Sequence, residues 1–351
     1  MTLHIRLATA ADQVIWDQYV VRHSQATPYH RFAWLQSIRA AYQHESVSLL
    51  ALQDKRVVGI MPCIKMKAPF RRLSFCALPY CDIGGALSDS QIIKDQLFTK
   101  ALGGLRQAGG CKLDYRDNAL MQNEAGMVGQ KVRMLLPLPD TSEQLMAEFK
   151  SKLRSQIRKS EKNGLTCIIA NDKKQIEDFY NIFAINMRKL GSPVHSKKWF
   201  EALFNYYEDN IVLSVVYINT VAVGAGITLK NGTKVSIPWA STVAEYNKLA
   251  PNMMLYWSLL QHACDTSCTE FDFGRSTYGE GTYKFKRQWG AQPHPLLWRD
   301  LTNTELENEQ NTESTDLKPG KLRPLVEDVW SRLPMGVTTI LGPLIRKHIS
   351  L

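Results

Sequence analysis

Between Phe271 and Gly290 the chain gathers residues able to do chemistry on an anionic group. A short apolar strand, Phe271–Phe273, runs into Gly274 and Arg275. A glycine-rich turn carrying Glu280 follows, and then an amphipathic stretch with Tyr283, Lys284, Lys286 and Arg287. A strand that opens into a Gly-rich loop lined with cations suits an anionic substrate or cofactor, because backbone N–H groups and cations converge there. Arg275, Lys284 and Lys286 are therefore the first candidates for binding that anionic group. Glu280 is the best-placed carboxylate in this stretch to act as a base. Asp272, between two aromatics, reads as the residue that holds Arg275 in place. Arg188, just before Gly191-Ser192-Pro193, is a candidate partner for phosphate or carboxylate. Trp239, after Pro238 at a strand end, either walls a cleft or fills the core.

The elements that must position these residues follow from periodicity. Helical spacing covers 173–189, 196–208 and 252–265, and strand patterns cover 211–218, 221–229, 233–240 and 270–273. The first half shows the same order: helices at 10–22, 30–42 and 91–107, strands at 48–52, 57–66 and 112–115. The match extends to residues. Leu50–Gly59 repeats the pattern of Val215–Gly224 at an offset of 165, and Trp34-Leu35 falls on Trp199-Phe200 at the same offset. Leu113-Asp114-Tyr115 echoes Phe271-Asp272-Phe273 at a slightly shorter one. The chain reads as a tandem duplication of one α/β unit.

One long basic helix is expected to join the halves over 148–164. Phe149, Leu153 and Ile157 form its buried stripe, and Lys150, Arg154 and Arg158 form a stripe beside it. Two readings stand: a solvated charged face, or a ridge over phosphates or an RNA backbone. Residues 300–320 are acid-rich and nearly without large apolar groups, as in a linker. From 321 onward apolar character returns, either as a helix packed on its own protein or as a foot on a membrane surface.

The 351 residues permit two domains, and the net charge of +10 implies attraction to polyanions. Seven cysteines without a repeated CxxC fit a reducing cytoplasm. Cys264 and Cys268 lack a second ligand pair, so no metal is expected. No stretch is apolar enough to span a bilayer, and the N-terminus lacks a signal-peptide pattern.

Several segments carry a family resemblance: Leu78-Pro-Tyr-Cys-Asp-Ile-Gly-Gly85, Leu153-Arg-Ser-Gln-Ile-Arg-Lys159, Asn186-Met-Arg-Lys-Leu-Gly-Ser-Pro193, Pro238-Trp-Ala-Ser241, Tyr246-Asn247, Pro251-Asn-Met253 and the stretch 271–290. Over about residues 1–298 the sequence resembles the FemAB-like branch of the GNAT acyltransferase superfamily, in particular the FemAB-related proteins of exosortase/PEP-CTERM systems. The resemblance implies an α/β protein of two GNAT-like domains, each a mixed twisted sheet flanked by helices. Their expected bounds are 1–140 and 141–299, followed by the linker 300–320 and an amphipathic segment 321–351.

The resemblance further implies an enzyme, and the thiols and the lack of a signal pattern point to the cytoplasm, with peripheral contact with the inner membrane through 321–351 as an option. The enzyme would move an acyl or aminoacyl group to the amine of a cell-envelope or exopolysaccharide precursor, such as a nucleotide-sugar-like acceptor. The co-substrate would be acyl-CoA or aminoacyl-tRNA, with no tightly bound cofactor and no DNA. In this family a cation and a phenol lie near the reacting carbonyl, which assigns Lys284 to the oxyanion and Tyr283 beside it. The acceptor is expected in the first half, where Tyr80 would bind it and Asp82 would hold its ammonium or act as base in place of Glu280. Tyr246 and Asn252 join the donor-binding set. The sequence departs from acyl-CoA relatives in lacking an Arg/Gln-x-x-Gly-x-Gly/Ala loop, although Asn252 is expected to cap a helix whose N-terminus offers a phosphate site. The competing class is a GNAT-fold scaffold or RNA-binding component that has lost its chemistry.

Overall fold

The structure is a computed structural model describing residues 2–69, 72–119, 121, 124–302 and 323–351. Beyond Thr302 the expected acidic linker lies outside the described residues. Of the described residues, one compact unit takes 2–121, 295–302 and 347–351, and a second takes 124–294 and 323–346. The division is thus not the simple succession of 1–140 and 141–299. Residues 131–137 pair with a strand of the second unit, and the last residues of the chain return to the first.

The first unit contains β1 (Leu3–Leu7), α1 (Gln13–Arg22), α2 (Phe32–Tyr42), β2 (Glu45–Ser46), β3 (Leu49–Gln53), β4 (Arg56–Met61), β5 (Ile64–Met66), β6 (Ser74–Cys76), β7 (Leu87–Ser88), α3 (Gln91–Gln107) and β8 (Lys112–Asn118). Strands β1, β3, β4 and β7 form an antiparallel sheet in that order. A second run orders β2, β5, β6 and β8, of which β6 and β8 are parallel over only Ser74–Cys76 and Lys112–Asp114. The core joins Leu49, Met61, Phe75, Leu97, Leu105 and Tyr115 from both runs and from α3.

The second unit begins with α4 (Glu124–Met127), β9 (Lys131–Pro137), α5 (Ser142–Glu148), α6 (Ser151–Lys162) and β10 (Leu165–Ile169). Next come α7 (Lys173–Lys189), α8 (Lys197–Tyr207), β11 (Ile211–Ile218), β12 (Val221–Asn231) and β13 (Lys234–Thr242). Then α9 (Pro251–Asp265), β14 (Glu270–Thr277) and α10 (Gly281–Arg287) complete the repeat. Strand β15 (Gln292–Thr302) leaves this unit, and its residues Leu296–Thr302 run antiparallel to β8 in the first. Helices α11 (Arg323–Arg332) and α12 (Met335–Arg346) close the second unit. Its sheet runs β10-β11-β12-β13-β14-β9, antiparallel throughout except between β13 and β14.

The duplication is visible in the coordinates. Helices α2 and α8 are both eleven residues long, lie 165 positions apart, and each buries a tryptophan at its third position. Hairpins β3-β4 and β11-β12 close on Gln53↔Arg56 and Ile218↔Val221, again 165 apart. Their ladders slip at equivalent places, Ala51/Leu52 and Val216/Tyr217. A β-bulge kept at one position in both copies is a feature of the fold rather than an accident of either sequence.

The single joining helix does not form. Phe149 and Lys150 adopt extended backbone (ψ 143° and 146°) and separate α5 from α6. Phe149 instead drives its ring edge-on against Trp257 and Trp289, and that aromatic contact outweighs continuation of the helix. Asn163 and Gly164 (φ 79°) do end α6 as expected.

Candidate active site

Strands β13 and β14 pair in parallel over only three residues, Lys234–Ser236 with Glu270–Asp272. Both continue past the last rung, to Thr242 and Thr277, without pairing to one another. The facing edges beyond Ser236 and Asp272 therefore present N–H and C=O groups that a ligand rich in amides can pair with.

Asp272 fixes the point of divergence. Its carboxylate accepts from Arg133 Nε at 2.9 Å, from the Gly274 N–H at 2.8 Å and from Ser236 Oγ at 3.4 Å. It thus ties β9, β13 and its own strand together. Just beyond it the β14–β9 ladder slips between Asp272 and Arg275, and Gly274 stands at φ 72°, where a Cβ would strain the backbone. The expected link from Asp272 to Arg275 is corrected by this geometry. The carboxylate serves Arg133, whose side chain is likewise buried.

Lys286, on α10, is 8% exposed, and its ammonium donates to the carbonyls of Gly274 (3.1 Å) and Arg275 (2.7 Å). It secures the bulged backbone from within, so its charge is spent on the protein. Lys284 and Glu280 are exposed on the same short helix, with Glu280 at the position before its first residue. Tyr283 is half-buried, its ring 4.6 Å from that of Tyr278. Glu280, Tyr283 and Lys284 thus stand on and just before α10, which follows the strand that carries Arg275.

On the other edge, Trp239 lies in β13 and packs edge-on against Phe200 (5.1 Å), Trp199 and His195. It belongs to an aromatic core and is 9% exposed. Tyr246 stands in a 3-10 turn between β13 and α9, partly buried against the core. Asn252 is the second residue of α9, not its cap. Ala250 takes the cap position at φ 63°, and Pro251, with its fixed φ and no N–H, occupies the first turn as prolines favour. No side chain caps this helix. Asn163, at the end of α6, donates to the carbonyl of Leu249 at 3.1 Å and so fixes the turn leading into it.

Arg188 ends α7 and donates to the carbonyl of Ser331 at 3.1 Å, so it anchors α11. Of the expected basic ridge, Arg154 folds back onto the carbonyls of Ala147 and Phe149 (3.1 and 2.8 Å), whereas Lys150, Lys152, Arg158, Lys159 and Lys162 are exposed.

In the first unit the equivalent divergence is filled. Strand β13 has two counterparts there, β6, which pairs with β8, and β7, which pairs with β4. The ten residues 77–86 between them carry Tyr80 and Asp82. Tyr80 is 5% exposed. Its N–H donates to the Ser350 carbonyl (2.6 Å) and its hydroxyl to the Lys347 carbonyl (2.8 Å). Arg116 donates to the carbonyls of Cys81 (2.9 Å) and Ser350 (3.2 Å) while paired with Asp114. The indole of Trp298 donates to the Asp82 carbonyl at 3.0 Å. The expected acceptor residues thus sit where the chain's own tail is bound. The partners that sequence reasoning missed, Arg133 for Asp272 and Ser350 for Arg116, lie 139 and 234 positions away, and no local pattern signals them.

Residues 147–287 match the family described as acetyltransferase (GNAT) domain. Among solved structures, FemX aligns with a TM-score of 0.65 at 13% identity, covering 88% of this chain and 99% of that one. The C-terminal domain of a putative lysylphosphatidylglycerol synthetase from Agrobacterium fabrum aligns at 0.54 and 10%, covering 85% and 94%. A tandem GNAT protein from the clavulanic acid biosynthesis pathway aligns at 0.52 and 10%, covering 85% and 98%. At these identities the likeness is one of fold: mixed α/β, with tandem GNAT proteins among its neighbours. No curated protein sequence matches the chain. Among the described residues no helix is long and apolar enough to cross a membrane.

Proposed function

We propose that the GNAT domain transfers an acyl or aminoacyl group from acyl-CoA or aminoacyl-tRNA to the amine of a cell-envelope or exopolysaccharide precursor, and that the donor binds along the diverging edges of β13 and β14. The observation that carries this reading is the ladder that stops after Ser236 and Asp272 in the second unit. Its counterpart in the first unit is filled by residues 77–86 and the tail. Only the second unit's edges are offered to a donor; the first unit is assigned to acceptor recognition or support.

The acceptor nitrogen attacks the donor carbonyl carbon, a C–N bond forms, and the C–S or C–O bond to the donor breaks. The proton lost by the amine passes to Glu280, and the thiolate or ribose oxygen leaves. Lys284 stabilises the developing oxyanion, worth several kcal/mol when such a donor is preorganised (about 3–4 kcal/mol for one oxyanion-hole group). Direct attack is supported by the absence of a nucleophile–base pair in the sequence, and Cys264 is a poor nucleophile. Burial first, and then the neighbouring Asp265 charge, push the Cys264 thiol up to about 11, so it stays protonated at neutral pH. The cell-envelope and exosortase/PEP-CTERM setting is supported by the sequence segments quoted above. FemX as a structural neighbour favours aminoacyl transfer, and the match to the acetyltransferase family favours acyl-CoA.

Thermal stabilisation tests the reading. A donor present at about 100 times its Kd should stabilise by about 2.7 kcal/mol. Response to one acyl-CoA, or to charged but not uncharged tRNA, is expected. Silence from both would favour the scaffold reading.

A further inference from the structure

Helix α12 is turned inside out. The side it lays against its own unit is small or polar. Thr338 and Gly342 are buried, and a Cβ at Gly342 would stand 2.9 Å from the Val194 backbone, so only glycine permits this approach. One turn further on, Arg346 Nε donates to His195 Nε2 at 3.1 Å. The opposite side carries Val337, Ile340, Leu341, Leu344 and Ile345, spaced as one helical stripe and open to solvent, with Ile340 69% and Leu344 56% exposed. Helix α11 continues the pattern. It buries Trp330 and exposes Leu325, Val326 and Val329. Single exposed leucines are ordinary, but a run of large aliphatic side chains over two adjoining helices marks an interaction surface.

We propose that this α11–α12 face rests on the surface of a bilayer containing anionic phospholipid. Helix α12 is twelve residues, about 18 Å long at 1.5 Å per residue, so it can lie in the interface but not span it. It contains no acidic residue, and its one charge, Arg346, is turned inward to His195, so the apolar stripe itself carries no charge. In α11 the exposed Arg332 guanidinium is paired with Asp328. Leu190, 59% exposed, follows exposed Lys189 at the end of α7, and Gly191 touches the Glu327 backbone. An uncharged apolar stripe with the exposed Lys189 near it is what an anionic interface attracts. The net charge of +10 on the whole chain adds to that attraction and opposes apposition of a second copy. Nothing in this proposal depends on acyl transfer.

Sedimentation of the full chain with vesicles tests it. Vesicles of phosphatidylcholine alone should bind weakly. Those with about one third phosphatidylglycerol should bind at physiological salt and release the protein as salt rises. Ile340→Ser with Leu344→Ser should lower the partition about tenfold or more without lowering the melting temperature, since both residues are exposed. Val14→Ser, equally exposed in the first unit, should change nothing. Absence of sedimentation with anionic vesicles, or binding indifferent to the Ile340/Leu344 pair, overturns the proposal. So does a concentration-dependent dimer that the same pair disperses while vesicles go unbound.

Discussion

Asp272, on the last rung before β13 and β14 part, meets Arg133 of β9 at 2.9 Å, and both are buried. The carboxylate also holds the Gly274 N–H, so one side chain fixes the end of the ladder and the bulge that follows it.

Removing that carboxylate leaves a buried guanidinium without its partner, which typically costs about 3–5 kcal/mol. Asp272→Ala should lower the urea midpoint of the second unit accordingly. Asp272→Asn, still able to accept from Gly274, should lose less. Equal stability of Asp272→Ala and the native chain would show that the pair does not hold the divergence.

Two lysines two residues apart should fail in opposite ways. Lys284 is exposed, so Lys284→Ala should keep the melting temperature and lower kcat about 100- to 1000-fold under the oxyanion role. Lys286 is buried on two carbonyls. Lys286→Met leaves them without a donor and should cost about 1–3 kcal/mol per stranded group. Unfolding curves measured beside turnover separate the two.

His195 gives the second unit a pH dependence. Burial, and after it the Arg346 charge, hold its pKa well below the usual range, and Arg346 donates to its Nε2. The native ring is thus neutral, while the unfolded chain takes up a proton below about pH 6.5. This contribution is complete above that value. It declines as pH falls from 6.5 toward the lower native pKa, by at most about 1.4 kcal/mol per pH unit. Melting curves at pH 7.5 and 5.0 should show the loss, and His195→Gln should reduce the slope. An unchanged slope in His195→Gln would show that this ring carries none of it.

Trp34 and Trp199, equivalent in the two units and both fully buried, should each be costly to remove. Trp→Ala in a core costs about 3–5 kcal/mol. Each substitution should destabilise its own unit first, which calorimetry would resolve as two separated transitions.

The repeat was legible because its signals are local. Asp54 and Lys55 (φ 49° and 65°) and Asn219 (φ 53°) turn the two hairpins, and the 3.6-residue period sets α3 and α7 to the residue. The break at Phe149 was not legible, since its cause is an aromatic contact with Trp257 and Trp289 more than a hundred positions away. The same holds at the site. The cluster of Arg275, Glu280, Tyr283 and Lys284 could be read from adjacency, whereas the burial of Lys286 and the filling around Tyr80 depend on residues remote in sequence. Composition showed the return of apolar residues after 321 but not which side of α12 they face, because the side it buries is made of threonine and glycine.

Amide hydrogen exchange with donor bound tests the central claim most directly. With the acyl-CoA or charged tRNA that stabilises the protein, protection is expected in 237–242 of β13, 273–277 of β14 and the first turn of α9. Protection confined to 77–86 or to other parts of the first unit would contradict a donor site on the diverging strands.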